Sequence, residues 1–405
     1  MPVIKRQQNR WFKTIAVKEG KQKNQNDGIM GNKTDIKDIA KLFLKLGIIG
    51  FGGPAAHIAM MQDEVVTKRK WLTEQHFLDL IGATNLIPGP NSTEMAIHIG
   101  HEKGGWKGLI VAGLCFILPA VLITGFFAWL YKEYGQLPEV QPFVYGIKPA
   151  IIAIILGAIF PLAKKSLKST KLIIIGLVVL IGSFFDINEI YLMFGAGFFA
   201  LFLAYFSIYK QNYLNSLMPF TLIQITNITF LSATNTSLFW IFLKIGAILY
   251  GSGYVLFAFL DTELVSTGLL TRLQLMDAIA VGQFTPGPVF SAVTFIGYQI
   301  NGLTGAIIST IAIFLPSFLF VALLIPIVKK MRSSTLFSSF LDAVNVASVA
   351  IIVAVCFDMG KETIMDWRTI FIAVLSIIIT FGFKKLNSAF IVLGGSVIGF
   401  LLTFL

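Results

Sequence analysis

The chain alternates between long apolar segments and short polar links, and two of the apolar segments are interrupted by Pro-Gly-Pro. In the first half the apolar segments cover residues 39–61, 77–99, 106–131, 143–163, 172–185 and 188–209. A helix needs about 20 apolar residues to cross a bilayer, and most of these segments approach that length. The pattern predicts an all-α, polytopic membrane protein.

The two interruptions are Pro88-Gly-Pro90 and Pro286-Gly-Pro288. Each motif removes two backbone donors and places a permissive glycine between two rigid prolines. We expect a helix to end before each motif and a new one to begin at its second proline, with free N–H groups and partial positive charge pointing into the protein. Such half-helix ends bind anions in membrane transporters. Further structural breaks are predicted at Gly52, Gly53, Pro54, Gly251 and Gly253.

The second half of the chain repeats the first. Phe43-Leu-Lys-Leu-Gly47 recurs as Phe242-Leu-Lys-Ile-Gly246, and Asp79 recurs as Asp277. In the same order, Gly100, Gly105, Gly108 and Pro119 recur as Gly297, Gly302, Gly305 and Pro316. We therefore predict two homologous repeats, residues 34–210 and 237–405. Residues 1–33 are expected to form a disordered basic tail, and residues 211–236 a linker or an extra membrane segment.

The charges of the polar links predict how the repeats are oriented. In the first half the basic link is Lys164–Lys171, whereas in the second half it comes one place earlier, at Lys329–Arg332. Because basic links stay on the cytoplasmic side, the second repeat is predicted to be inverted, with the N-terminal tail in the cytoplasm.

Composition excludes several classes of protein. Of the 405 residues, 56% are hydrophobic and only 13% are charged, too few for an ordinary soluble domain. The net charge of +11 falls in the tail and the short links, where it orients a membrane protein, so nucleic acid is not an expected partner. Cys115 and Cys356 lie in apolar segments without metal-ligand spacing, and packing is their expected role.

Several short motifs resemble those of the chromate transporter family in its long, two-domain form. They are Phe51-Gly-Gly-Pro54, Trp71-Leu-Thr73, Pro88-Gly-Pro90, Leu118-Pro119 and Gly282-Gln-Phe-Thr-Pro-Gly-Pro288. The resemblance covers residues 37–405 and implies a multi-pass protein of the bacterial inner (cell) membrane. It also implies chromate efflux that confers resistance, with sulfate as the competing ligand and no cofactor.

A tetrahedral dianion such as chromate requires several hydrogen-bond donors and some positive charge. The candidate substrate-binding residues are Asn85, Pro88, Gly89, Pro90, Asn91, Ser92, Thr93, Gln283, Thr285, Pro286, Gly287, Pro288, Ser291, Thr294, Lys45 and Lys244. The two lysines occupy the same place in the first helix of each repeat and are expected to supply charge to the anion. For the lysines, the alternative is that their amino groups reach water at the interface. For the Pro-Gly-Pro motifs, the alternative is that they only kink two helices for packing.

Glu94 and His98 are the candidates for proton coupling, because ionisable groups at membrane depth are costly and usually functional. With His101 they share one helix face; the alternative is that the histidines meet water at a helix end. The spacing differs from His-Glu-x-x-His, and no metal site is expected. Asp79 and Asp277, each nine residues before its motif, are expected to brace the broken helices; the alternative is that they carry protons or cations.

Three functions follow from these residues. The first is chromate efflux driven by the membrane potential or a proton gradient, and the second is proton- or cation-coupled import of sulfate or another oxyanion. The third is a membrane-embedded enzyme, which is disfavoured because the sequence carries no nucleotide fingerprint or nucleophile elbow. The expected partners are an oxyanion and the lipid bilayer, and a homodimer is an open alternative to a monomer.

Overall fold

The structure is a computed structural model that describes residues 34–209, 235–324, 335–383 and 386–404, apart from positions 52, 136, 138, 186, 251 and 252. Within these residues the secondary structure is helical and includes no strand. Several predictions lie outside the described residues: the tail over 1–33, residues 211–234 of the linker, Gly52, Gly251 and the basic link Lys329–Arg332.

Each repeat contributes seven of the described helices. In the first repeat these are α1 (Ile36–Ile49), α2 (Gly53–Gln62), α3 (Glu74–Thr84), α4 (Asn91–Tyr134), α5 (Gln141–Ser166), α6 (Thr170–Phe184) and α7 (Glu189–Tyr209). In the second they are α8 (Asn235–Ile248), α9 (Val255–Leu260), α10 (Arg272–Phe284), α11 (Ala292–Leu324), α12 (Thr335–Thr363), α13 (Trp367–Gly382) and α14 (Ser388–Leu402). A π-helical turn follows α2 at Asp63–Lys68, and another follows α9 at Asp261–Val265.

Equivalent helices begin with equivalent caps. The Thr73 hydroxyl accepts from the backbone N–H of His76 at the start of α3, and the Thr271 hydroxyl accepts from that of Gln274 at the start of α10. These bonds satisfy N–H groups that have no partner inside the helix. Local sequence therefore fixes where each helix before a Pro-Gly-Pro motif begins.

The long helix after each motif folds back on itself. Gly105 in α4 and Gly302 in α11 both have a φ of +59°, which glycine adopts readily. A side chain at Gly100 would collide with Ala112, so residues 91–104 and 106–134 lie side by side. Each helix after a motif is thus a short buried arm followed by a membrane-length arm.

The repeats are inverted, as predicted from the charges of the links. Lys168, just after α5, lies 2.7 Å from Asp342 near the start of α12. At the opposite ends of the same helices, the Tyr145 hydroxyl of α5 donates to Asp366, just after α12. These equivalent helices therefore run antiparallel, and the start of α12 lies on the same side as the basic link Lys164–Lys171.

Five helical spans among the described residues are long and apolar enough to cross a membrane: Asn91–Tyr134, Gln141–Ser166, Glu189–Phe206, Val289–Leu323 and Leu336–Thr363. Four further apolar helices are shorter, namely α6, α8, α13 and α14. Large apolar side chains such as Leu122, Phe160 and Phe390 are more than half exposed, as expected for faces that meet lipid. The prediction of an all-α, polytopic membrane protein is confirmed.

Candidate functional site

The first Pro-Gly-Pro motif separates α3 from α4, as predicted. Gly89 has a φ of +133°, and its backbone N–H donates to the carbonyl oxygen of Leu249 at 2.8 Å. Asn91, the first residue of α4, donates from Nδ2 to the Asn85 Oδ1 at 2.7 Å. The two half-helices are therefore joined side chain to side chain across the break.

The second motif makes the corresponding contact with the first repeat. Gly287 has a φ of +94°, and its backbone N–H donates to the carbonyl oxygen of Gly50 at 2.7 Å. Gly50 and Leu249 are equivalent positions, each directly after the first helix of its repeat. Each Pro-Gly-Pro motif is thus held by the first helix of the other repeat, an exchange typical of a pseudo-two-fold axis.

Both motifs are buried at the interface between the repeats. A side chain at Gly89 would meet the Ser317 Oγ at 2.8 Å, and one at Gly287 would meet the Ala120 Cβ at 2.9 Å. Ser317 and Ala120 follow the equivalent prolines of α11 and α4. The motifs therefore lie inside the protein and not on opposite outer surfaces.

A cavity of about 330 Å³ lies beside the first break. Its lining comes from both repeats and is rich in hydrogen-bonding groups. The polar lining residues are Asn85, Asn91, Lys165, Ser166, Lys168, Ser338, Asp342, Asn345 and Ser348. Amides, hydroxyls and two ammonium groups can all donate hydrogen bonds to an oxyanion. The cavity is large enough for a small tetrahedral ion together with water.

The cavity brings together predicted and unpredicted residues. Asn85 and Asn91 were candidates from the sequence, whereas Asn345 and Ser348 of α12 were not. The sequence signal for both is weak, because single polar residues are common in a buried helix. Lys168 is paired with Asp342, while Lys165 is exposed and has no oppositely charged side chain within 4 Å among the described residues.

Glu94, in the first turn of α4, is fully buried. Neither of its carboxyl oxygens has a hydrogen-bond partner among the described residues. A side chain at Gly89 would collide with the Glu94 Oε1, which places this carboxyl directly against the first break. A buried carboxylate without a partner is costly, so such a position is usually functional.

His57 is a site residue that sequence reasoning missed. It is 1% exposed, and its Nε2 lies 2.8 Å from the carbonyl oxygen of Gly50. Nε2 must therefore carry a proton, and in the neutral imidazole Nδ1 then accepts from the Ser92 hydroxyl at 3.3 Å. The available signal was an imidazole inside the apolar segment 39–61. His57 links the end of α1, which holds the second motif, to the start of α4.

The remaining predicted residues of the first arm are buried in α4. Thr93 and His98 each have a polar side-chain atom without a hydrogen-bond partner among the described residues, at Oγ1 and Nε2 respectively. His101 instead packs edge-on against Trp106 at the turn. The described residues contain no group of three or more side chains that could hold a metal ion.

Most of the polar side chains around the second break have partners within the protein. The Thr285 hydroxyl donates to the Val281 carbonyl oxygen at 2.6 Å, and the Thr294 and Thr310 hydroxyls lie 2.7 Å apart. Two longer contacts complete the arm: the Thr124 and Ser291 hydroxyls at 3.3 Å, and the Tyr254 hydroxyl with the Gln283 Oε1 at 3.4 Å. Gln283 Nε2 remains without a partner among the described residues.

The two lysines of the first helices have partners other than the predicted anion. The Lys45 Nζ lies 2.8 Å from the Glu64 Oε1, and the Lys244 Nζ lies 2.6 Å from the Glu263 Oε2. Lys45 is half exposed, which is consistent with the alternative that its amino group reaches water at the membrane interface. Each lysine meets a carboxylate of the following π-helical turn, 19 residues away, and the contact of the two lysines with an anion stays a prediction.

The glycine-rich breaks lie where the first helices end. Gly53 has a φ of +79° and begins α2, with Pro54 in its first turn. Gly253 precedes α9, and a side chain there would approach Val289 just after the second motif, at 3.7 Å. The described part of the second break therefore adjoins the second Pro-Gly-Pro motif.

Asp79 and Asp277 differ sharply between the repeats. The Gln75 Nε2 lies 3.4 Å from the Asp79 Oδ1. Asp277 is buried, accepts from the Tyr131 hydroxyl at 2.6 Å and lies 3.9 Å from the Lys148 Nζ. Lys148 was missed by sequence reasoning, although a lysine inside the apolar segment 143–163 was an available signal.

These features define a polytopic membrane protein with two inverted repeats and paired half-helix breaks. The chromate transporter family matches residues 37–201 and again residues 236–400. The chain therefore belongs to the chromate transporter family, as the sequence motifs indicated.

Individual relatives support this membership. The chain is 31% identical over 376 residues to the chromate transport protein of Cupriavidus metallidurans, a match that covers 90% of this chain and 92% of that protein. It is also 31% identical over 376 residues to the probable chromate transport protein of Synechococcus elongatus, covering 90% and 95%. An uncharacterized transporter of Methanocaldococcus jannaschii is 29% identical over 398 residues, covering 92% and 95%. No solved structure matches the chain.

Proposed function

We propose that this protein exports chromate across the cell membrane and thereby gives resistance to it. The observation that carries the proposal is the cavity at the first break, which Asn85, Asn91 and Asn345 line together with two lysines. Chromate is a tetrahedral dianion, and this set supplies neutral donors together with positive charge. The proposal also draws on two relatives that are 31% identical to this chain, a chromate transport protein and a probable chromate transport protein.

The side on which the cavity reaches the surface fits export. Lys165 and Lys168, both exposed, lie at its rim and belong to the basic link Lys164–Lys171. If basic links are cytoplasmic, the cavity receives its ion from inside the cell. This orientation also puts the N-terminal tail in the cytoplasm. Cysteine labelling at Ser166 and Ser333 is expected from the same side, and labelling from opposite sides would contradict it.

The membrane potential already favours the export of a dianion. One charge crossing the membrane gains about 2.3 kcal/mol per 100 mV, so a dianion that leaves a negative-inside cell gains roughly twice that. The membrane potential can therefore drive export, and a proton gradient can add to it.

Glu94 favours a second candidate function, proton-coupled import of sulfate or another oxyanion. Import against the potential requires compensating cations, and a buried carboxyl without a partner beside the break is suited to carry protons. His98, buried one turn further along α4, is suited to pass them on. Under either direction these two residues are proposed as the proton-coupling pair.

Uptake of labelled chromate and sulfate into everted vesicles tests both candidates, with the potential and the pH gradient imposed separately. Chromate export predicts uptake when the vesicle interior is made positive. Sulfate import predicts sulfate efflux from loaded everted vesicles that depends on the pH gradient. Asn91→Ala should lower transport about tenfold or more by removing a cavity donor. The matched control is Asn301→Ala, since Asn301 is bonded to Asn235 outside the cavity.

The same preparation tests the alternative of a membrane-embedded enzyme. Purified protein in liposomes, without nucleotide or any other co-substrate, should move labelled chromate down an imposed potential. Absence of flux with correctly inserted protein would contradict a transporter and leave the enzyme as the better hypothesis.

A further inference from the structure

Lys148 is a half-buried cation inside a helix that is long and apolar enough to cross a membrane. It is the eighth residue of α5, an apolar helix, and its side chain is only 17% exposed. The carboxylate of Asp277 is the only oppositely charged group within 4 Å among the described residues, with the Lys148 Nζ 3.9 Å from Oδ1. An ammonium at this depth is costly without a partner and usually has a function.

The pair is held loosely compared with the other ion pairs of the molecule. Lys45 and Lys244 approach their glutamates to 2.8 and 2.6 Å, which are hydrogen-bonding distances. The Asp277 Oδ1 has no hydrogen-bond partner among the described residues, although Oδ2 accepts from the Tyr131 hydroxyl. Lys148 is therefore attracted to Asp277 without being fixed by it.

The repeat symmetry indicates what Lys148 does. In the register that relates Pro119 to Pro316, Lys148 corresponds to Asn345 of α12. Asn345 lines the cavity beside the first break, together with Asn85 and Asn91. An equivalent cavity beside the second break would be lined by Lys148 and Gln283, the counterparts of Asn345 and Asn85. In this structure Gln283 is buried and Lys148 is turned to Asp277.

We propose that Lys148 binds the transported oxyanion directly when the region beside the second break opens to the opposite side of the membrane. This inference rests on the proposed function. The ammonium leaves Asp277, donates to the anion, and returns to Asp277 when the anion departs. Asp277, oriented by the Tyr131 hydroxyl, keeps the lysine from being an unpaired buried charge in the empty state.

The test separates binding of the anion from simple neutralisation of Asp277. In proteoliposomes, Lys148→Gln should lower chromate transport about tenfold or more, and Lys148→Arg should retain part of it because the charge persists. The deciding variant is the double substitution Lys148→Gln with Asp277→Asn, which removes both charges and leaves no uncompensated carboxylate. We expect this double variant to insert into the membrane and to have the unfolding temperature of the wild-type protein in detergent. It should nevertheless transport as poorly as Lys148→Gln alone.

Two results would overturn the proposal in different ways. Transport by the double variant at the wild-type rate would show that Lys148 only balances Asp277, with the proposed function intact. Failure of the wild-type protein to move any oxyanion would instead remove the proposed function itself. Where a Gln variant inserts poorly, Lys148→Cys decides: its alkylation should slow severalfold with sulfate present, and an unchanged alkylation rate would contradict direct binding. Sulfate takes the place of chromate in this measurement because chromate oxidises thiols. Cys115 and Cys356 are replaced by serine for this measurement.

Discussion

The two breaks share one backbone design and differ in their side chains. At each, a glycine N–H donates to the carbonyl oxygen that follows the first helix of the other repeat. The first break adjoins a polar cavity of about 330 Å³ and carries the buried Glu94. Around the second, Thr285 and Thr294 are hydrogen-bonded internally, and Lys148 is drawn to Asp277. Duplication has preserved the scaffold while the polar groups have diverged.

This difference suggests that the repeats show two stages of one cycle. The first break is accessible from the side of Lys165 and Lys168, and the second is closed. In inverted repeats, an exchange of the two conformations would close the first break and open the second to the other side. Under the proposed function, such an exchange would release a bound ion on the side opposite to its entry.

The largest effect is expected from filling the space at the first break. Gly89→Ala would place a methyl group at a φ of +133°, against the Ser317 Oγ at 2.8 Å and against Glu94. The strained backbone alone costs about 1–2 kcal/mol, and the collision adds to it. Chromate flux in vesicles should fall below a tenth of the wild-type rate, with a lower unfolding temperature.

The control for this variant is Gly268→Ala. Gly268 also has a positive φ, of +75°, but a side chain there would meet nothing within 4 Å. It should lose some stability and keep its transport rate. Equal loss of transport in both variants would show that backbone strain, and not the space beside Glu94, is what matters.

The second prediction concerns the acid that only the first break has. Glu94→Gln keeps the shape of the side chain and removes its ability to release a proton, so flux driven by a pH gradient should fall to the level seen without one. Flux driven by the potential alone should persist. Ser291→Ala, at the equivalent place in the second arm, should leave the response to the pH gradient unchanged. A pH response that survives in Glu94→Gln would assign coupling to another group.

The sequence was sufficient for the scaffold because the scaffold rests on local chemistry. The Pro-Gly-Pro motifs interrupt the helices, and the charges of the polar links indicate that the second repeat is inverted. Partners across the fold were less accessible. The carbonyl oxygens of Gly50 and Leu249 carry no side-chain signature, and Glu64 and Glu263 meet their lysines only because α2 and α9 bring them back. Lys148 was overlooked because its meaning depends on its counterpart Asn345.

The third prediction concerns an ion pair that is formed in one repeat and not in the other. Arg272 at the start of α10 donates to the Glu362 Oε1 at 2.7 Å, near the end of α12. Their counterparts in the first repeat are Glu74 and Lys165, with the signs exchanged. Among the described residues, neither has an oppositely charged side chain within 4 Å. The ion pair between Arg272 and Glu362 in the second repeat is therefore not formed between Glu74 and Lys165 in the first.

Cysteine cross-linking can detect the exchange, in protein whose two native cysteines are replaced by serine. Arg272→Cys with Glu362→Cys should cross-link severalfold more in the state seen here, and Glu74→Cys with Lys165→Cys should cross-link when the first break closes. Imposing a gradient that drives transport should shift the ratio between the two pairs. A ratio that never changes would show that the ends do not alternate.

The smallest effect is expected at the first repeat's version of the lysine–glutamate pair. Hydrogen bonds from Lys45 and then Lys68 lower the pKa of Glu64 to about 2, against the opposing effect of burial. Since the pKa in the folded protein lies below its ordinary value of about 4.5, the charged pair stabilises the fold above that value and loses this contribution as the pH falls towards 2. The contribution is on the order of 1 kcal/mol or less, because Lys45 is half exposed and solvent screens the pair.

Glu64→Gln should thus lower the unfolding temperature slightly at pH 7 and progressively less between pH 5 and pH 3. Glu139→Gln, at an exposed position in a turn and without an ion pair among the described residues, should change it neither at pH 7 nor at pH 3. A loss for Glu64→Gln that is equal at all pH values would mean that Glu64 acts through packing, and that the resemblance of this pair to Lys244 and Glu263 is one of shape only.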